Sequence, residues 1–262
     1  MPAACSSRRW AAPLAFVLFY LVCVLAAARA DTATVMVGVN HKMRAFLVTP
    51  DGTGPYPAIL VLHTSGGLEG ADTDFAQRLA QQGYVALVPA FMEAYGITAR
   101  TRRETFTGSA QPIYNDFVAA LDMLAHHGKV KGAKLGAVGF SNGGYFAVWL
   151  AATAKVQAAI SYYGALSGAG TDVPLERFRA AFTAQSAPVL ILHGTADNTV
   201  PVGAARHLAQ IIEAAHAPYS LQLYPDVGHR FEREPGTPAA QQAASDAWQR
   251  SLSFLAANLK SP

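Results

Sequence analysis

Three residues of this chain have the types needed to build an activated nucleophile: Ser141, Asp197 and His229. Ser141 is the centre of Gly139-Phe140-Ser141-Asn142-Gly143, a G-x-S-x-G pentapeptide between a strand-like run and a helix-like run. Such a pentapeptide lifts its serine on a sharp strand-to-helix turn, and it needs small residues at both ends because the chain passes close to itself there. With 22 glycines in the sequence the pentapeptide alone is a weak signal, so its flanks and partners must carry the inference. A serine hydroxyl is a poor nucleophile at neutral pH; an imidazole has to remove its proton during attack and return it to the leaving group. A carboxylate must then fix the tautomer of that imidazole and stabilise its cation. His229, in Gly228-His229-Arg230-Phe231, and Asp197, in His193-Gly194-Thr195-Ala196-Asp197, have the right types. Asp226 is the rival acid, but its place after Pro225 suits a turn-forming side chain better.

Attack on a carbonyl creates an oxyanion that requires N–H donors. The residue after the nucleophile, Asn142, supplies one from a helix N-terminus. The second is expected from the loop after the run ending at His63, where Ser65 is the first choice and Thr64 the alternative. Gly66 and Gly67 can also be read simply as residues that turn the chain.

These residues need strands and helices to hold them. Residues 34–39 and 44–49 read as an opening antiparallel pair. Residues 58–63, 84–88, 134–139, 158–162, 189–193 and 221–224 are short apolar runs of the kind that form strands buried on both faces. Between them lie helical patterns over 75–82, 113–126, 144–153, 202–215 and 240–259, with residues 92–111 as a long loop. The alternation predicts a mostly parallel twisted sheet with helices on both faces, in one domain over 31–262. Ligands of such a sheet bind beyond the carboxyl ends of its strands, where Ser141, Asp197 and His229 all fall. Their chain order is the one an α/β-hydrolase fold imposes.

The N-terminus sets the expected compartment. Arg8 and Arg9 precede an apolar stretch from Ala11 to Ala27, which ends in Ala28-Arg29-Ala30 before polar Asp31. This is the layout of a cleaved signal peptide over residues 1–30, and the stretch is short for a membrane anchor. The expectation is export to the periplasm or the extracellular space. Cleavage would remove three of the 20 basic residues, none of the 17 acidic ones and both cysteines, Cys5 and Cys23. The remaining charge is balanced, so nothing points to nucleic acid or to an anionic membrane as partner.

The motifs His63-Thr64-Ser65-Gly66-Gly67-Leu68, Gly83-Tyr84-Val85-Ala86-Leu87-Val88-Pro89, Gly139 to Gly144, His193 to Asp197 and Gly228 to Phe231 together resemble the dienelactone hydrolase family, over residues 43 to 259. The resemblance implies cofactor-free hydrolysis of a small ester or lactone in a compact fold with little or no lid. Typical members carry a cysteine nucleophile where this chain has Ser141, and an activating glutamate where it has Thr64. Both departures imply ordinary serine-esterase chemistry and argue against dienelactone itself as substrate. The resemblance also implies that Arg233 binds a substrate carboxylate; the plain reading is a solvated arginine.

Other polar residues carry less. His126 and His127 suit carbonyl capping at a helix end. His63 and His193 suit organisation of strand-end loops, because no metal-ligand spacing accompanies them. Arg100, Arg102 and Arg103 lie in the long loop, where they are either solvated or beside a site. The sequence therefore reads as an exported serine hydrolase without metal or cofactor. Its alternatives are a peptidase or acyl transferase of the same fold, or a binding protein that has kept the fold without the chemistry.

Overall fold

The computed structural model describes Met1 and residues 30–166 and 175–260. The expected leader thus lies, apart from its two ends, outside the described residues.

Eight strands form one sheet: β1 Asp31–Val37, β2 Met43–Thr49, β3 Tyr56–Leu62, β4 Val85–Pro89, β5 Val130–Phe140, β6 Ala158–Tyr162, β7 Val189–Gly194 and β8 Tyr219–Tyr224. Their order across the sheet is β1-β2-β4-β3-β5-β6-β7-β8. β2 runs antiparallel to β1 and β4, and the remaining pairs are parallel. Helices α1 Gly70–Gln81, α2 Phe91–Ala94, α3 Ala110–Ala125, α4 Asn142–Ala152, α5 Leu175–Ala181, α6 Gly203–Ala214 and α7 Pro238–Leu255 cover it, and a π-helical turn over Ala256–Lys260 extends the last.

The apolar runs explain the layering. Alternate residues of β3 point to opposite faces: Leu60 and Leu62 join a core with Phe117 of α3 and Phe146 of α4, while Ile59 and Val61 join one with Phe75 of α1 and Leu255 of α7. α4 is apolar on every side and wholly buried, as a helix behind a nucleophile must be when the sheet and its neighbours enclose it. α1 stops at Gly83, whose φ of +78° is a left-handed cap that a residue with a Cβ would resist. α7 starts where Thr237 accepts the Ala240 N–H at 3.1 Å, with Pro238 in the first turn.

The expected elements are present, with four differences. α1 begins five residues before the expected 75. β5 begins four residues before the expected 134. The 92–111 segment is not one open loop: it contains most of α2 and a 3-10 turn over Arg102–Phe106. α5 had no expected counterpart.

Candidate active site

Ser141 sits between β5 and α4 at φ +50° and ψ −110°, a conformation few non-glycine residues adopt. Neighbours at the end of β6 and just after it hold it there. Its N–H donates to the Tyr162 carbonyl at 3.0 Å, and its own carbonyl accepts the Ala165 N–H at 2.8 Å. The flanking glycines are required by space: a Cβ on Gly139 would lie 2.1 Å from the Gly143 oxygen, and one on Gly143 would lie 2.1 Å from the Leu62 oxygen. The strand-to-helix turn and the close approach of α4 to β3 thus depend on these two residues.

His229 and Asp197 meet this serine from the loops after β8 and β7. The Ser141 hydroxyl lies 3.2 Å from His229 Nε2, and His229 Nδ1–H donates to Asp197 Oδ2 at 2.6 Å. The other carboxylate oxygen of Asp197 accepts the Thr199 and Val200 N–H groups, both at 2.8 Å. Burial on its own would raise the Asp197 pKa, but hydrogen bonds from His193, His229 and the Val200 N–H hold it well below the usual carboxylate range. Asp197 therefore stays an anion facing the imidazole. Asp226 is exposed, at φ +55°, and its N–H donates to Thr195 Oγ1 at 3.1 Å; it shapes the turn before His229.

The donor loop is tied to the nucleophile directly. Gly143 N–H donates to the His63 carbonyl at 3.1 Å, which joins the first turn of α4 to the end of β3. Thr64 then folds the loop back, its hydroxyl accepting the Gly66 N–H at 3.1 Å and its carbonyl the Gly67 N–H at 3.2 Å. Among the described residues, no protein acceptor takes the N–H of Ser65 or of Asn142. Both residues line one cavity of about 240 Å³ with Ser141, His229, Thr64, Arg102, Ala165, Thr199, Val200 and Arg230. The Asn142 side chain turns away and donates to Thr105 Oγ1 at 3.2 Å.

His63 and His193 organise strand ends, as the sequence suggests. His63 Nδ1–H donates to the Thr64 carbonyl at 2.7 Å, and its ring stacks on Phe91 at 4.0 Å. Burial lowers its pKa to about 4, so it is neutral. His193 Nε2–H donates to the Val200 carbonyl at 2.8 Å, with Asp197 Oδ2 3.4 Å away. His126 Nδ1–H caps the Asp122 carbonyl at 2.8 Å.

Arg233 is the residue the structure does not bring into the cavity. Its side chain is 4% exposed, pairs with the buried Asp72, donates to Glu232 Oε1 at 2.9 Å and lies over the Phe140 ring. It is neither solvated nor placed to hold a substrate carboxylate. The reason is α1, which carries Asp72 to the underside of the loop that bears His229. The cavity is lined instead by Arg230, already paired with Glu69 and Glu234 at 2.9 Å each, and by Arg102. Sequence reasoning also missed Glu232 and Asp72; two carboxylates with no motif around them give no signal until the fold surrounds them.

A family model for dienelactone hydrolases matches residues 43–259, which is most of the chain. The chain belongs to the dienelactone hydrolase family. It is therefore a hydrolase. A Yersinia pestis protein named "Putative carboxymethylenebutenolidase" is 30% identical to this dienelactone hydrolase family member, over 82% of this chain and 84% of its own. A Bradyrhizobium protein named "Probable 2-oxo-3-(5-oxofuran-2-ylidene)propanoate lactonase" is 28% identical over 84% of this chain and 91% of its own. Among solved structures, a dienelactone hydrolase of Klebsiella pneumoniae, described as putative, superposes with a TM-score of 0.73 at 26% identity, covering 87% of this chain and 98% of that one. The α/β-hydrolase architecture is common to the two.

Proposed function

We propose that this family member is an exported serine hydrolase that cleaves a small carboxylic ester or lactone through a Ser141 acyl-enzyme. The observation that carries the reading is the unbroken line from Asp197 through His229 to Ser141, 2.6 Å and 3.2 Å, ending in the 240 Å³ cavity. In this reading His229 takes the Ser141 proton as the oxygen attacks the carbonyl carbon, and Ser65 and Asn142 N–H groups receive the oxyanion. His229 then gives the proton to the departing alcohol. Water, deprotonated by the same imidazole, attacks the acyl-enzyme and releases the acid. In a lactone the departing alcohol stays attached to the acyl group, so one ring-opened hydroxy acid is the product. Members named as lactonase or carboxymethylenebutenolidase make lactones a natural choice of substrate. Export rests on the leader-like residues 1–30.

The test is turnover of p-nitrophenyl acetate and butyrate by the purified protein beside Ser141→Ala and His229→Ala. The expectation is a loss of about 10³-fold or more in kcat for each variant, with fluorophosphonate labelling lost in Ser141→Ala. Turnover that survives Ser141→Ala would overturn the mechanism, and wild-type protein that neither turns over nor labels would favour a binding role.

A further inference from the structure

We propose that Tyr163 is a positioning residue for His229, and that the buried chain Glu232–Arg233–Asp72 holds Tyr163 in place. The inference rests on the reading of Ser141 and His229 as nucleophile and base. Its starting point is a strained residue: Tyr163, directly after β6, has φ +37° although it is a bulky aromatic. Such a conformation is strained and persists only where the surroundings over-determine it. They do so here from three sides. The Tyr163 N–H donates to the Leu192 carbonyl at 2.8 Å, its ring packs against Phe231, and its hydroxyl donates to Glu232 Oε1 at 2.6 Å.

The strained ring lies against the imidazole. The ring centroids of Tyr163 and His229 are 4.5 Å apart, at 59°. A hydrogen bond at Nδ1 fixes one point of an imidazole and leaves the plane free to swing about that bond; an aromatic face in contact removes the swing. Positioning of this kind matters because a base displaced by even an ångström loses much of its rate advantage.

The hydroxyl end is anchored just as firmly. Glu232 Oε1 accepts from both Tyr163 and Arg233 Nε, and the Arg233 guanidinium reaches Asp72 in the first turn of α1. Burial lifts the Tyr163 hydroxyl far above its ordinary range, which keeps it a donor to Glu232 at any working pH. The arginine expected to hold substrate therefore acts from behind the histidine, with α1 as its fixed support.

The experiment pairs Tyr163→Phe, which keeps the ring and removes the anchor, with Glu232→Gln, which keeps the shape and removes the charge that holds Arg233. Each is assayed for kcat and KM on p-nitrophenyl acetate, for melting temperature, and for the downfield proton of the His229 Nδ1–H···Asp197 bond by NMR, assigned by its absence in His229→Ala. Expected are a fall in kcat of about tenfold for Tyr163→Phe and about threefold for Glu232→Gln, KM within twofold, and a displaced or broadened proton in both. A folded Tyr163→Phe with wild-type kcat and an unmoved proton overturns the proposal, as does a kcat loss without any change at that proton. Should Tyr163→Phe fail to fold, Glu232→Gln decides by the same criteria. If the wild-type protein hydrolyses no ester, the hydrolase reading fails, and the proton alone decides whether Tyr163 orients His229.

Discussion

Arg102 faces the Ser141 cavity with its charge uncommitted: among the described residues its guanidinium donates to the Ala99 carbonyl at 2.8 Å and forms no ion pair. Arg230, the other arginine on the cavity wall, is neutralised by two glutamates. An ester with a second, ionised carboxylate would therefore meet one available cation. An exposed pair of this kind is worth up to about 1 kcal/mol, or roughly fivefold in affinity. Arg102→Gln is expected to raise KM for an acidic ester such as p-nitrophenyl hemisuccinate by about that factor, with a much smaller change for p-nitrophenyl acetate. Equal changes for the two esters would show that the arginine does not read charge. At this scale the sequence was most informative about Ser141, Asp197 and His229, because each follows an apolar run that had to be a strand. It was least informative about Arg233, whose partner Asp72 lies 161 positions away in the chain and enters only through packing.

Elements were legible where apolar periodicity was strong and illegible where a single polar side chain organises a turn. The β1–β2 hairpin shows the difference. Its strands were readable from their alternation, but the turn between them is built on Asp116 of α3, far off in sequence. That buried carboxylate accepts the N–H groups of Val39, Asn40 and His41 at 2.7, 2.6 and 3.0 Å, and the Tyr95 hydroxyl at 2.7 Å. Burial would raise its pKa, yet these donors lower it. Removing the acceptor leaves three backbone donors unpaired, at about 1–3 kcal/mol each when fully buried. Because the turn is partly exposed, Asp116→Ala is expected to cost about 3 kcal/mol in total, read as a lower urea midpoint with an unchanged slope. The 92–111 segment was opaque for a related reason: its 3-10 turn follows from local hydroxyl bonds, such as Thr101 to Thr98, and not from a repeating apolar face.

For the whole molecule, a titration that bears on stability sits in the core. His63 is fully buried with its pKa lowered to about 4 by burial, from an ordinary 6.5. Between those two values the unfolded chain binds a proton that the folded chain does not. Stability from this residue is therefore complete above about pH 6.5 and is lost as pH falls toward 4, by up to about 3 kcal/mol. Urea midpoints measured from pH 7 to pH 4 should fall for the wild type, and the fall should be shallower in His63→Gln. An equal slope in both proteins would place the acid sensitivity elsewhere. The antiparallel opening pair and the mostly parallel sheet behind it follow from how the runs alternate. That a strand-end histidine would be sealed beneath Phe91 does not, since neither residue's burial is visible before β3 and α2 are brought together.

The cavity at Ser141 has a consequence for molecular recognition. At about 240 Å³ it is smaller than the 300–1,000 Å³ usual for sites that enclose a ligand. In the proposed reaction, the described walls of this cavity would enclose one half of an ester and leave the other half toward solvent. Selection then falls on the enclosed half alone, and the solvent-facing half is free to vary in length and shape, so that the enzyme would discriminate among its substrates by one end of the molecule and be indifferent to the other.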